Sequence, residues 1–194
     1  MFHARGPGGI AFEDLIAQSR IGAAFDLATT EIADEVVGGL RSAGPKRLEA
    51  ATRTGIPQLV IPGGIDTVNF SGPGSVPARF DGRQFVSHTP SSTLMRTSVT
   101  ESEEIGVWMG AKLAAATGPT AVMIPLVGFS SYDAPGAIFH DPAASRAFAS
   151  GMARALAARP DIPVETSDLH INDQAFIRIA ATRFCDMIDA GKTD

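Results

Sequence analysis

A single cysteine, Cys185, leaves no possibility of an internal disulfide in this 194-residue chain. Its place in the run from Ile177 to Ile188 suggests a packing role on a helix face in a reducing compartment. The four histidines, His3, His88, His140 and His170, are scattered, with neither H-E-x-x-H nor any cysteine-containing zinc spacing, so no metal is expected. Basic residues are outnumbered, with 16 Lys and Arg against 21 Asp and Glu for a formal net charge of -5, and no basic patch marks a DNA or RNA partner. No apolar run approaches the roughly eighteen residues of a membrane span, and the start, Met1-Phe-His-Ala-Arg-Gly6, lacks the features of a secretory signal. A cytoplasmic location is the expectation, which also disarms the sequon Asn69-Phe70-Ser71. Two catalytic signatures fail on spacing. Gly191-Lys192-Thr193 follows a helix and has Asp186 where a P-loop requires its first glycine, and Gly128-Phe-Ser-Ser-Tyr132 has its second glycine position wrong for a nucleophile elbow. There is no internal repeat and no linker, so residues 1–194 read as one domain.

What is present is organised around Gln58-Leu-Val-Ile-Pro-Gly-Gly-Ile-Asp-Thr-Val-Asn-Phe70. A short apolar run closed by Pro and Gly predicts a strand buried on both faces that delivers Gly63, Gly64, Asp66 and Asn69 to a loop at its C-terminal end. The same pattern recurs at Thr120 to Pro125, with the polar loop from Leu126 to His140 behind it. Shorter strands are expected at Phe2-His3-Ala4, at Ala23 to Leu27 and at Val164 to Thr166, and extended pieces at Gln84 to His88 and Thr93 to Thr97.

Helical periodicity fills the intervals. A first helix runs from the Gly6-Pro7-Gly8-Gly9 turn to about Ser19, and a second follows Thr30 as N-cap, with Ile32, Val36, Val37 and Leu40 apolar. A third opens at Pro45 and stops at Gly55. Thr100-Glu-Ser-Glu103 matches a capping box ahead of a fourth, and Asp141-Pro142 is an N-cap and first-turn pair for a fifth reaching about Arg159. Asn172 caps a last helix, whose Phe176, Ile179, Ala180, Phe184 and Ile188 share a face and whose stop is Gly191. Strands alternating with helices at this spacing predict an α/β fold of three layers, a mostly parallel, Rossmann-like sheet with helices on both faces. In such sheets ligands bind at the C-terminal edge.

Candidate site residues follow from that edge. Gly6, Gly8 and Gly9 offer backbone N–H groups to an anion, or form only a tight turn. Asp66 and Asp133 lie beyond proline-closed strands, placed for a ribose or Mg²⁺ or for turn formation, and Arg96 suits an anion clamp or a salt bridge. His170, between Asp168 and Asn172, suits an acid or base, or a capping role.

Several motifs together carry a family resemblance: His3-Ala-x-Gly-x-Gly-Gly9, Asp26-Leu-x-Thr-Thr-Glu31, Gly38-Gly39, Gly55-Ile-Pro57, Pro62-Gly63, Asp66-x-Val-Asn-Phe70, Thr93-Leu-Met-Arg-Thr97, Asp133-Ala-Pro-Gly136 and His170-Ile-Asn-Asp173. In this order and spacing, and over nearly the whole chain, they resemble the second half of the Tm-one-like ATP-binding proteins, an otherwise uncharacterised family. The resemblance implies ATP with Mg²⁺ as the cofactor, a preceding α/β domain as partner, and a cleft shared with that domain, the chain being a dissected domain or a split subunit. The barrel domain found further along in some relatives has no counterpart here.

Combined with the residue reading, the ligand set becomes Gly6, Gly8, Gly9, Thr29, Thr30, Glu31, Gly63, Gly64, Asp66, Asn69, Arg96, Thr97, Asp133 and Gly136, with His170, Asp66 and Asp133 as the catalytic candidates. Three functions stay open. One is binding of a nucleotide or another phosphorylated or carboxylated metabolite. The second is an assembly module docking the preceding domain or another copy, with the loop from Phe70 to Phe80 as its cover. The third is an enzyme acting on a small carboxylate or carbonyl compound.

Overall fold

The computed structural model describes residues 1–3 and 6–190. Its centre is a four-stranded parallel sheet in the order β1-β2-β6-β7, with β1 Ala24–Asp26, β2 Gln58–Val60, β6 Thr120–Pro125 and β7 Val164–Ser167. The two middle strands are buried along their whole length, as their apolar runs predict. Alternation divides their side chains between two cores. Leu59, Ala121 and Met123 face α6 (Gln174–Ala190) through Phe176, Ala180 and Met187, whereas Val60, Val122 and Ile124 face α2 (Thr30–Val37), α4 (Val99–Leu113) and α5 (Pro142–Ala155). α1 (Gly6–Ala17) and α3 (Glu49–Thr54) extend the second layer over β1, where Ile16, Ala50 and Ala51 meet Ala24. Helices therefore cover both faces, and α6 alone covers one of them among the described residues.

Sequence reading did not anticipate a second sheet. β3 (Thr67–Phe70), β5 (Ser92–Arg96) and β4 (Phe85–Thr89) form an antiparallel sheet in that order, inserted between β2 and β6. The turn-rich stretch after Pro62 thus contains a strand with all four residues buried, followed by two short 3-10 turns. Phe70 and Phe80, expected in a loop able to cover a partner, instead pack against each other as tilted rings with centroids 5.5 Å apart and close a small core with Val68 and Met95.

Several boundaries shift for local reasons. The glycines from Gly6 to Gly9 form the first turn of α1 itself. Thr29 is the N-cap of α2 and Thr30 its first residue. α3 starts at Glu49, four residues past Pro45, because Leu48 is left-handed and its N–H, like that of Ala50, donates to the Glu13 carboxylate on α1. The capping box of α4 is Ser98 with Glu101. Glu103, the partner expected for Thr100, pairs with Arg154. Asp141 caps α5 as expected. α6 begins two residues beyond Asn172, and its buried face is Phe176, Ala180 and Met187. Ile179 and Cys185 are exposed, which removes the packing role expected of the cysteine. Met1–His3 have no strand, and Ala4, like the Gly191 stop, lies outside the described residues.

α4 and α5 pack backbone to backbone. A Cβ on Gly106 would overlap the carbonyl of Phe148, and one on Gly151 would overlap that of Glu103. Gly→Ala in a helix interior ordinarily gains up to about 1 kcal/mol. Here Gly106→Ala should lose about 1–3 kcal/mol in urea unfolding, because backbone on both sides has to move; an unchanged or raised midpoint would show that the helices separate freely.

Candidate functional site

The loops that leave the C-terminal ends of β1, β2, β6 and β7 surround a cleft of about 570 Å³. The antiparallel sheet supplies the facing wall through Thr67, Asn69, His88, Ser92 and Leu94. At its floor the Thr30 and Thr67 hydroxyls lie 3.3 Å apart, and Thr67 also donates to the Gly64 carbonyl at 3.0 Å. Gly63 and Gly64 tie the loops together. The Thr29 N–H donates to the Gly63 carbonyl and the Gly64 N–H to the Phe129 carbonyl, at 2.9 and 2.8 Å. A Cβ on Gly63 would overlap the Leu27 carbonyl, and Gly64 has φ of 75°.

Behind the cleft, Arg96 staples the β2, β5 and β6 loops. Its Nε donates to the Phe139 carbonyl at 2.7 Å, Nη1 to the Thr97 hydroxyl at 2.8 Å and Nη2 to Asp133 Oδ1 at 3.3 Å. Asp133 also accepts the N–H groups of Phe129 and Asp141. Both side chains are buried, with the guanidinium bound to protein groups. His170 is held likewise. Its Nδ1 accepts the Asn172 N–H at 3.1 Å, so Nε2 carries the proton and donates to the Ser130 carbonyl at 2.9 Å.

A second cavity of about 640 Å³ opens beside β1, walled by Phe2, Phe12 and Phe25. Three carboxylates converge there on one buried guanidinium: Arg47 meets Asp26 at 2.6 Å, Glu31 at 2.7 Å and Glu13 at 3.0 Å. Gly9 leaves room for that contact, since a Cβ there would press on Glu31 Oε1 and Arg47 Nε.

Residues 1–188 match the C-terminal domain of uncharacterised protein family UPF0261. The chain belongs to that family. It is 41% identical over 97% of its length to a UPF0261 protein of Clostridium tetani, of which it covers 46%, and 38% identical to one from Rhizobium meliloti, of which it covers 47%. It is also similar, at 34% identity over 96% of its length, to the tomato ToMV resistance protein Tm-1(GCR237), covering 25% of that protein. This UPF0261 domain thus spans about half the length of the bacterial relatives it matches.

The expected ligand residues divide four ways. Thr30, Gly63, Gly64 and Asn69 line the cleft at the sheet edge, and Gly8, Gly9 and Glu31 line the second cavity. Gly6 packs on the backbone of residues 41 and 42, and Gly136 sits in a turn with φ of 81°. Thr29, Asp66, Arg96, Thr97 and Asp133 are buried behind these surfaces. The cleft also brings together residues that sequence reasoning missed: Arg41, His88, Ser130, Ser131, Tyr132 and Asn172. Ser130 to Tyr132 lie in the polar loop after β6, which topology alone marks as a ligand loop. Arg41 and His88 carried no signal in the sequence.

Among the described residues no three His, Cys, Asp or Glu side chains group as metal ligands, and no helix is long and apolar enough to cross a membrane. Burial dominates the titration of the interior acids. It pushes Asp26 up to about 6 against the opposing pull of Arg47, Asp34 up to about 7 although Asn69 donates to both its oxygens, and Asp66 up to about 6 with only Ser130 Oγ among other residues donating to it. Each raised value means that the native state holds its proton more tightly than the unfolded chain. Stability from these groups is therefore fully present below about pH 4 and falls as pH rises through 6 to 7. We expect a melting temperature several degrees higher at pH 5 than at pH 8, at about 2–4 °C per kcal/mol for a chain of this size. A flat profile in differential scanning calorimetry would contradict the assignment.

Proposed function

We propose that this UPF0261 domain binds a small anionic metabolite, a nucleotide or another phosphorylated or carboxylated compound, in the cleft at the C-terminal edge of its parallel sheet. One observation carries the reading. In a chain of net charge -5, the cleft is lined by Arg41, His88, two amides and the hydroxyls of Thr30, Thr67, Ser92, Ser130, Ser131 and Tyr132, and by no carboxylate. Arg41 forms no salt bridge among the described residues, which leaves its guanidinium for a ligand. The start of α2 lies at the same cleft, with Thr30 in its lining, and the positive end of the helix favours an anion there. The volume suits a metabolite of nucleotide size or smaller. ATP fits by charge. The donor set does not suit Mg²⁺, which favours carboxylate oxygens, so any Mg²⁺ would enter on the ligand's phosphates.

Inorganic phosphate, a dicarboxylate and ATP, each with and without Mg²⁺, should include at least one anion that gives a saturable rise in melting temperature. Arg41→Ala should weaken that anion about tenfold by calorimetry, as expected for one lost charge-assisted contact. No saturable shift with any of the three overturns the reading.

A second reading, docking of the other half of the family unit, is supported by relatives about twice as long as this chain. It predicts co-elution with the separately expressed first half of the Clostridium tetani relative, and two independent peaks on gel filtration count against it.

A further inference from the structure

Two buried aspartates flank the loop after β6, and they are satisfied to very different degrees. Asp133 accepts from Arg96, Phe129 and Asp141. Asp66, fully buried, accepts one bond from another side chain, the Ser130 hydroxyl at 2.6 Å, and its Oδ1 has no donor. Arg96 does not repair this, because its Nη1 reaches the Asp66 carbonyl, at 3.4 Å, in place of the carboxylate. A carboxylate stripped of water and given one donor is a poor structural element, since an unsatisfied buried oxygen costs about 1–3 kcal/mol and a neutral side chain would avoid it. It is a more basic carboxylate than an ordinary aspartate, with one proton within reach.

That proton belongs to a hydroxyl in the cleft. Ser130 lines it and is partly exposed, while Asp66 lies sealed behind. The Tyr132 N–H donates to Ser130 Oγ at 3.1 Å, so the hydroxyl is oriented from both sides, with a second lone pair left for attack. His170 fixes the same loop through the Ser130 carbonyl, acting as a positioning residue. The N–H groups of Ser130 and Ser131 donate to no protein acceptor among the described residues. The N–H of the residue after a nucleophilic serine is a recurrent oxyanion donor.

We propose that Ser130 and Asp66 form a nucleophile and base pair that hydrolyses carboxylic esters bearing an anionic group. The assignment rests on the reading of the cleft as an anion site, which supplies the substrate class. Ser130 Oγ bonds to the ester carbonyl carbon as its proton passes to Asp66 Oδ2. The tetrahedral adduct collapses with cleavage of the carbon–oxygen bond, and the departing alkoxide leaves into the cleft and takes a proton from water. Water then attacks the acyl-serine and releases a proton to solvent. The acyl–Oγ bond breaks, Ser130 recovers its proton from Asp66 Oδ2, and the product is the carboxylic acid, ionised at neutral pH.

The probes are an alkyl fluorophosphonate, with which Oγ–P forms, P–F breaks and fluoride departs, and the mono-4-nitrophenyl ester of a dicarboxylic acid. The intact chain should gain one phosphonyl group, mapped to Ser130, and release nitrophenolate from the ester. Ser130→Ala should lose both. Asp66→Asn should slow labelling at least about 100-fold. The wild type needs no variant for the third arm: its labelling rate should rise with the ionisation of Asp66 near pH 6 and level off above it. Labelling elsewhere, or none while phosphate or a dicarboxylate still stabilises the chain, overturns the pair and leaves the anion site standing. Labelling of Ser130 with no anion binding keeps the pair and removes the anionic requirement.

Discussion

The cleft exists because no side chain fits where three loops cross. Gly63 and Gly64 bring the chain after β2 against the backbone after β1 and after β6, and the two hydrogen bonds they make there are main chain to main chain. Everything that lines the floor depends on this crossing. It sets the start of α2, directs Thr67 and Asn69 into β3, and fixes how near the loop carrying Ser130 comes to Asp66. The parallel sheet supplies the edge and the glycines decide how closely its loops converge.

The protein uses two kinds of buried charge. Arg96 and Asp133 are bound by enough backbone groups to act as fixed pins between elements distant in sequence. Arg47 gathers three carboxylates from α1, β1 and α2, and the pair of Asp34 with Asn69 ties α2 to β3. Such pairs are costly to break because the partner left behind stays buried, while their net contribution to stability is small. Their value lies in registering helices against two different sheets.

Legibility from sequence followed the physics of each signal. The parallel sheet was readable because strands buried on both faces leave apolar runs, as at Leu59 to Ile61 and Ala121 to Ile124. β3 was not, since prolines and glycines on either side of Thr67 to Phe70 read as one long loop and its partner strand lies 23 residues or more further on. Ser98 and Thr100 each stand three residues before a glutamate, and only the alternative partner of Glu103, Arg154 on α5, separates the two. The ligand residues split for a related reason. Residue type and loop position brought Thr30, Gly63, Gly64 and Asn69 to the cleft, but whether Arg96 faced a ligand or a carbonyl depended on partners up to 43 residues away.

The retained protons bear on the molecule as a polyelectrolyte. The isoelectric point of about 5.3 from composition treats Asp26, Asp34 and Asp66 as ordinary carboxylates, already ionised at that pH. In the native chain burial raises all three, to about 6, 7 and 6. The folded protein consequently holds more protons near that pH than its unfolded chain and focuses at a higher pH.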